Sequence, residues 1–180
     1  MKPAEKLVRR AQKGDKDAFV ALIEAEKLSL TRAALAILHH DEDAADAVSE
    51  TVLNAFLKLH TLREPKYFKT WLMRILIYNA YAILRKRKPE LPFEELPEQA
   101  AQEDEMVRRD GVIDIQQSLS RLAQNDRLVL TLFYLDGLSI KEIGALLGLK
   151  EGAVKTRLHR ARSKFRQTYE EQEVKEDVCK

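Results

Sequence analysis

Positively charged side chains are concentrated between Lys150 and Arg166, near the C-terminal end of the chain. This stretch, KEGAVKTRLHRARSKFR, holds seven Lys or Arg and one Glu. Lys and Arg side chains bind phosphate oxygens and guanine edges, and the hydroxyls of Ser and Thr bind either kind of group. The residue types therefore predict a surface that contacts nucleic acid.

The pattern around this stretch is that of a helix-turn-helix. Gly137 ends one helix, Ser139 is a good N-cap for the helix IKEIGALLG, and Gly148 supplies a tight turn before the basic helix. Apolar residues of the basic helix fall on one face, at Val154, Leu158, Ala161 and Phe165. A basic, hydrogen-bonding face of this kind fits the major groove of DNA.

Six residues on the outer surface of the basic helix are the candidate DNA contacts: Lys155, Thr156, Arg157, His159, Arg160 and Ser163. We expect Arg160 to read a base and Lys164 to bind phosphate. The alternative is a solvated basic face on an ordinary helical hairpin. A metal site at His159 is not expected, because no Cys or second His stands at a suitable spacing.

A second mixed surface is predicted on a helix between Lys66 and Arg87. Its expected core side consists of Leu72, Ile75, Leu76 and Ile83. Basic side chains and tyrosines alternate on the other side, at Arg74, Tyr78, Tyr81, Arg85 and Lys86. Flat rings and positive charges together are suited to capturing unstacked nucleotides. The tyrosines could instead be boundary residues of an amphipathic helix, and Trp71 is interpreted as a core residue.

The helix before it is acidic and predicts a different kind of contact. Five acids lie between Asp41 and Glu50, with Asp41 as the expected N-cap. Its predicted apolar stripe is Val48, Val52, Ala55, Phe56 and Leu59, and its predicted polar face is Asp43, Asp46, Glu50 and Asn54. Acids on this face would repel DNA, so we expect them to face a protein. A paired-carboxylate enzyme site lacks the base, nucleophile or metal ligands that would complete it.

Composition indicates a reduced, intracellular protein. The chain has 180 residues and a net charge of +2, but acids and bases occupy separate segments. Its single cysteine, Cys179, has no partner for an internal disulfide. We find no signal peptide and no apolar run of the roughly 20 residues that would span a membrane. A cytoplasmic location is expected.

The organisation predicted is all-α, with two small helical domains and a linker. A first helix ends near Gly14, Asp15 caps a second, and this second helix has an expected break around residues 28–30. Three prolines and seven acids between Pro89 and Met106 indicate an acidic linker. Helices are expected again from near Gly111, and a charged tail that frays is expected from about Gln167 onward.

Three segments, in this order, resemble the bacterial sigma factors of the extracytoplasmic-function (ECF) group, which have only regions two and four. They are DEDAADAVSETVLNAFLKL, YFKTWLMRILIYNAYAILRKRK and LSRLAQNDRLVLTLFYLDGLSIKEIGALLGLKEGAVKTRLHRAR. The resemblance covers residues 5–88 and 112–168. It implies region two over residues 1–88, a linker over 89–111, region four over 112–168 and a tail over 169–180.

The resemblance also implies roles for the candidate residues. The acidic helix would bind the clamp helices of the largest subunit of RNA polymerase, through Asp46, Ser49, Glu50 and Asn54. Ser49 stands where the family usually has Gln, and Tyr78 where it often has an Asn that holds a flipped base. The Tyr78 helix would read and open the minus-ten promoter element, and the basic helix would read the minus-thirty-five element. An anti-sigma factor, often membrane-anchored in the family, is an implied partner.

Two other functions are weighed against this interpretation. A conventional regulator would bind an operator as a dimer through its helix-turn-helix, and would not enable initiation by core polymerase. A nucleic-acid-processing enzyme would need catalytic residues that the sequence does not supply. We therefore expect a promoter-specificity subunit without catalytic activity, cofactor or metal.

Overall fold

The structure is a computed structural model that describes residues 3–87 and 115–178. Every regular element in these two ranges is helical, so the all-α prediction is confirmed for the described part of the chain. The chain divides into two compact units, Met1–Leu91 and Pro92–Lys180. The predicted linker over residues 89–111 and Cys179 lie outside the described residues.

The first unit contains four α-helices. They are α1 (Pro3–Gln12), α2 (Lys16–Leu38), α3 (Asp41–Lys58) and α4 (Phe68–Arg87), with short 3-10 turns at Leu59–Thr61 and Pro65–Tyr67 before α4. Helix α2 packs against each of the other three, and α3 also packs against α4. The docking candidates of α3 and the tyrosines of α4 are therefore carried by two helices that contact each other.

The predicted boundary between α1 and α2 is confirmed. Gly14 has a φ of 93°, and Asp15 caps α2 by accepting a hydrogen bond from the Ala18 amide at 3.0 Å. Arg10 reaches the same carboxylate at 2.7 Å. The Ala18 amide and, after it, the Arg10 guanidinium lower the pKa of Asp15. The expected break around residues 28–30 is wrong, because α2 continues through the buried Leu30 without a residue that stops a helix.

Helix α3 begins one residue earlier than predicted. His40, rather than Asp41, is the N-cap, and Asp41 is the first helical residue. His39 has a left-handed backbone with φ 64°, and its amide donates to the Leu35 carbonyl to close α2. Asp41 and its acidic neighbours thus occupy the first turn of α3, where the helix dipole favours negative charge.

The buried stripe of α3 consists of small residues, which corrects the predicted stripe. Ala47, Thr51 and Ala55 are each fully buried, whereas Phe56 is 50 % exposed. Small side chains on this stripe let α3 lie close to its neighbours. Of the predicted stripe, Ala55 and Leu59 are buried, and Val48 and Val52 are half-buried.

Helix α4 is buried over a broad face, because it packs against both α2 and α3. Leu72 and Leu76 are buried as predicted, but Ile75 and Ile83 are only half-buried. Met73, Ile77 and Ala80 complete the core face. Trp71 is half-buried, with its ring centroid 6.1 Å from that of the buried Phe68.

The second unit also contains four α-helices in its described part. They are α5 (Ile115–Ser120), α6 (Gln124–Leu130), α7 (Ile140–Leu147) and α8 (Glu151–Val178), with a π-helical turn at Thr131–Leu135 directly after α6. Ser139 caps α7 as predicted, and the Glu142 carboxylate accepts a hydrogen bond from the Ser139 amide to complete a capping box. Helix α8 runs past Gln167 to Val178, where the sequence predicted a frayed tail.

The turn of the helix-turn-helix depends on two glycines. Gly148 is left-handed with φ 68°, as predicted, and its amide donates to the Gly144 carbonyl. Gly144 has an ordinary φ, but a Cβ there would lie 2.7 Å from the Leu149 carbonyl oxygen. Backbone packed against backbone leaves no room for a methyl group, so Gly144 fixes how closely α7 meets the turn.

Gly144→Ala should therefore lower the free energy of unfolding of the second unit by about 1–3 kcal/mol through overpacking. Urea denaturation followed by far-UV circular dichroism measures the effect. Gly152→Ala is the matched control, because a Cβ at Gly152 meets nothing within 4 Å. The control should be neutral or stabilising by up to about 1 kcal/mol. Equal stabilities of the two variants would contradict the packing role of Gly144.

Candidate functional site

The predicted docking residues lie together on the outer surface of α3. Asp46, Ser49 and Glu50 are exposed, and Asn54 is half-buried and donates to Glu50 Oε1 at 3.0 Å. Asp43 does not belong to this face, because it is 9 % exposed and heads the buried stripe of small residues. The acidic face is therefore narrower than predicted.

Large apolar side chains continue the acidic face toward the C-terminal end of α3. Leu53 and Leu57 are 53 % and 59 % exposed, and they follow Asp46 and Glu50 at helical spacings of three and four residues. They were not predicted from the sequence, because large apolar residues of an amphipathic helix are expected to face the core. A stripe that is half acidic and half apolar suits a protein partner, since exposed apolar side chains favour an interface.

A buried hydrogen bond connects α3 to α4. Asn79 Nδ2 donates to Thr51 Oγ1 at 3.1 Å, and the Thr51 hydroxyl donates to the Ala47 carbonyl at 2.6 Å. Asn79 is 8 % exposed and points toward the core, whereas its neighbour Tyr78 is exposed and points away. This pair aligns the acidic helix with the tyrosine-bearing helix.

The outer stripe of α4 brings the predicted basic side chains and tyrosines together. Arg74, Tyr78 and Lys86 are exposed, and Tyr81 and Arg85 are half-buried. The Arg85 guanidinium carbon lies 6.0 Å from the centroid of the Tyr78 ring, which is 65 % exposed. An exposed ring with a cation at its face can stack on an unpaired base while the cation neutralises phosphate.

The basic helix α8 presents most of its predicted contacts to solvent. Lys155, Thr156, His159 and Ser163 are exposed, whereas Arg157 is half-buried. Val154, Leu158 and Ala161 are buried as predicted, so α8 has the two-sided character of a recognition helix. Two hydroxyls bond back to the helix: Thr156 Oγ1 donates to the Gly152 carbonyl and Ser163 Oγ to the His159 carbonyl.

Asp126 of α6 binds two cations of α8, a contact that was not predicted from the sequence. Its side chain is 0 % exposed, and its two oxygens receive Arg160 Nη2 at 2.9 Å and Lys164 Nζ at 3.1 Å. Arg160 and Lys164 keep 45 % and 46 % of their side chains exposed. The only signal available in the sequence was an acid shortly before the apolar run LVLTLF.

Its neighbour Arg127 is also buried, and it donates through Nη1 to the Ser120 carbonyl at 3.2 Å. Burial lowers the pKa of the Arg127 guanidinium to about 10, so it remains charged at neutral pH. The start of α6 thus carries charged side chains inside the second unit, where they bind other helices rather than solvent.

Neither a metal cluster nor a membrane-spanning helix is found in the described part of the chain. No three His, Cys, Asp or Glu residues of that part lie where they could hold a metal ion together. None of its helices is both long enough and apolar enough to cross a bilayer.

Two family models match the two units. Residues 22–90 match Sigma-70 region 2, and residues 113–165 match Sigma-70, region 4. Among curated relatives, the ECF RNA polymerase sigma factor SigW of Bacillus subtilis is 30% identical over 178 residues, which is 90% of this chain and 94% of SigW. The chain belongs to the ECF sigma factors. Sigma factors direct RNA polymerase to promoters, and this is the function of the chain.

Further relatives agree with this assignment. The ECF sigma factor SigM of Mycobacterium tuberculosis is 31% identical over 84% of this sigma factor and 77% of SigM. The solved sigma factor RpoE of Bartonella quintana aligns with a TM-score of 0.67 at 24% identity, over 84% of this chain and 96% of that one. The structural match shows the two-unit helical fold of sigma factors. The alternative of a dimeric operator-binding regulator is not favoured.

Asn79→Ala should lower the free energy of unfolding of the first unit by about 1–3 kcal/mol, because the buried Thr51 hydroxyl loses its donor. Tyr78→Ala, one residue away on the exposed side, should change it by less than about 1 kcal/mol. Denaturation followed by fluorescence of Trp71, the single tryptophan, measures both variants. A larger effect at Tyr78 than at Asn79 would contradict the assigned directions of these side chains.

Proposed function

We propose that the sigma factor binds core RNA polymerase through the outer face of α3 and holds two promoter elements with α4 and α8. Asp46, Ser49, Glu50 and Asn54 supply the polar part of the docking face, and the clamp helices of the largest polymerase subunit are its partner. The exposed acids and leucines of α3 support this assignment. An acidic surface repels DNA phosphates and attracts a basic protein surface.

The outer stripe of α4 binds and helps to open the minus-ten element. Its contacts are Arg74, Tyr78, Tyr81, Arg85 and Lys86. The single observation that carries this proposal is the exposed Tyr78 ring with Arg85 at its face. Because stacking accepts any base, Tyr78 gives a broader base preference at this position than the hydrogen-bonding Asn that is common in the family.

The polymerase is needed for melting on energetic grounds. Opening about ten base-pair steps costs on the order of 14 kcal/mol, at ~1.4 kcal/mol per step. Each base captured on an aromatic side chain returns roughly 1–3 kcal/mol. A single helix that captures two or three bases supplies too little, so the remainder comes from the polymerase to which α3 attaches.

The exposed face of α8 binds the minus-thirty-five element in the major groove. Its contacts are Lys155, Thr156, Arg157, His159, Arg160 and Ser163. In this proposal residues 1–88 form region two, residues 89–111 connect the regions, residues 112–168 form region four, and residues 169–180 follow as a charged extension.

The remaining parts of the proposal concern partners and location. The sigma factor acts in the cytoplasm, carries out no catalytic step itself, and needs no cofactor or metal. An anti-sigma factor holds it inactive until a signal arrives. The solved relative RpoE of Bartonella quintana was determined in complex with an anti-sigma factor, NepR, which supports a partner of this class.

Glu50→Lys should abolish association with core polymerase, because it places a positive charge at the centre of an acidic docking face. Gel filtration of the mixed proteins and transcription in vitro measure the loss. Glu24→Lys, a charge reversal at an exposed acid of α2, is the matched control and should form holoenzyme normally. Holoenzyme formation by the Glu50 variant at the wild-type level would refute the docking role.

Tyr78→Ala should reduce initiation on duplex promoters by roughly 5- to 150-fold, the equivalent of about 1–3 kcal/mol of lost stacking. Tyr78→Phe keeps the ring and should retain activity. A template with a pre-opened minus-ten segment should restore part of the activity of Tyr78→Ala. Equal losses for the Phe and Ala variants would exclude stacking as the role of the ring.

A further inference from the structure

We propose that Asp126 is a positioning residue that holds Arg160 in the orientation in which Arg160 reads the minus-thirty-five element. The inference rests on the proposed function of α8. Asp126 lies on a different helix, α6, and touches no DNA in this scheme. It acts through the guanidinium of Arg160.

The hydrogen-bond geometry defines the hold on Arg160. Asp126 Oδ1 accepts from Arg160 Nη2 at 2.9 Å and from Nε at 3.3 Å. Both donors belong to one edge of the planar guanidinium, so the plane of the group and the direction of its opposite end are set together. The Arg160 side chain keeps 45 % of its surface exposed, on the solvent side of α8.

The second carboxylate oxygen of Asp126 is bound by Lys164, so Arg160 bonds to only one oxygen. Asp126 Oδ2 accepts from Lys164 Nζ at 3.1 Å. Lys164 lies four residues after Arg160, one turn along α8, so the two cations approach the carboxylate from successive turns. Lys164 therefore keeps Arg160 from forming a two-oxygen fork with Asp126 and confines it to the Nε edge.

Burial makes Asp126 suited to orientation. Asp126 is 0 % exposed, so its carboxylate is fixed by the surrounding helices and forms a rigid acceptor. The trio of one acid and two cations has a net charge of +1, which adds little to the general attraction of phosphate. Its contribution is to order a long, flexible side chain before DNA arrives, and prior ordering strengthens a specific contact.

A purely structural role makes a different prediction. If the ion pairs of Asp126 with Arg160 and Lys164 only attach α8 to α6, removing the Asp126 charge lowers stability and leaves base preference unchanged. If Asp126 positions Arg160, removing the Asp126 charge reduces base preference at the promoter position that Arg160 reads and does not change preference at the other positions. The profile of base preference therefore separates the two roles.

The test is transcription in vitro by core polymerase with the full-length sigma factor on a promoter library randomised across the upstream element. Wild type is compared with Asp126→Asn, Arg160→Ala and the double variant. Arg162→Ala is the matched control, because Arg162 is an exposed arginine of α8 whose side chain donates to Tyr134 and not to Asp126. Thermal melting of each variant reports folding.

Arg160→Ala should reduce base preference at one promoter position by roughly 5- to 150-fold. Asp126→Asn should reduce base preference at the same position by roughly 2- to 12-fold, which corresponds to the free-energy cost of ordering one long side chain. The double variant should lose no more base preference at that position than Arg160→Ala does, since Asp126 acts through Arg160. Arg162→Ala should leave that position unchanged.

Two results would overturn the proposal, and they are distinct. Wild-type protein that fails to enable initiation would remove the proposed function, and this inference with it. A functional wild type with an Asp126→Asn variant that folds and keeps full preference at the Arg160 position would remove the inference alone.

If Asp126→Asn fails to fold, a second measurement on the wild-type chain still tests whether Asp126 holds Arg160. The Arg160 Nε–H proton, identified in NMR spectra by its loss in Arg160→Lys, should exchange with water at least several-fold more slowly than the Nε–H of Arg162. Equal exchange rates would show that Asp126 does not hold Arg160 and would refute the proposal.

Discussion

The first unit depends on the close approach of α3 to its neighbours through a stripe of small residues. Ala47, Thr51 and Ala55 are fully buried, so the face of α3 that packs against the neighbouring helices carries small side chains. The large side chains Leu53 and Leu57 are thereby turned outward, next to Glu50. The docking face is in this sense a consequence of core packing, since the orientation that buries the alanines is the one that exposes acids and leucines together.

The same contact relates the two functions proposed for the first unit. The hydrogen bond between Thr51 and Asn79 lies inside the interface of α3 and α4, and the residues just before the two, Glu50 and Tyr78, face outward. Glu50 precedes Thr51 and Tyr78 precedes Asn79, so each functional residue is adjacent in sequence to a buried partner of the pair. Polymerase docking and base capture are therefore carried by a rigid pair of helices and not by loops.

The second unit shows the opposite use of charge. In the first unit Asp46 and Glu50 are exposed and available to a partner, whereas Asp126 of the second unit is fully buried and binds Arg160 and Lys164 of that unit's recognition helix. A buried carboxylate requires compensation by cations. Those cations lie at the edge of the face proposed for DNA, so the stability of the unit and the geometry of its DNA contacts share the same side chains.

The sequence by itself determined most of the helices, the caps at Asp15 and Ser139, the left-handed turn at Gly148 and the buried face of α8, because these features depend on neighbours within a few residues. The motifs in their order also identified the family. Only the tertiary structure decided that Phe56 is exposed, that Asp43 is buried and that Asp126 binds Arg160. Helical periodicity places side chains around an axis, but the side that faces the core is chosen by volume and charge on other helices, which no local pattern contains.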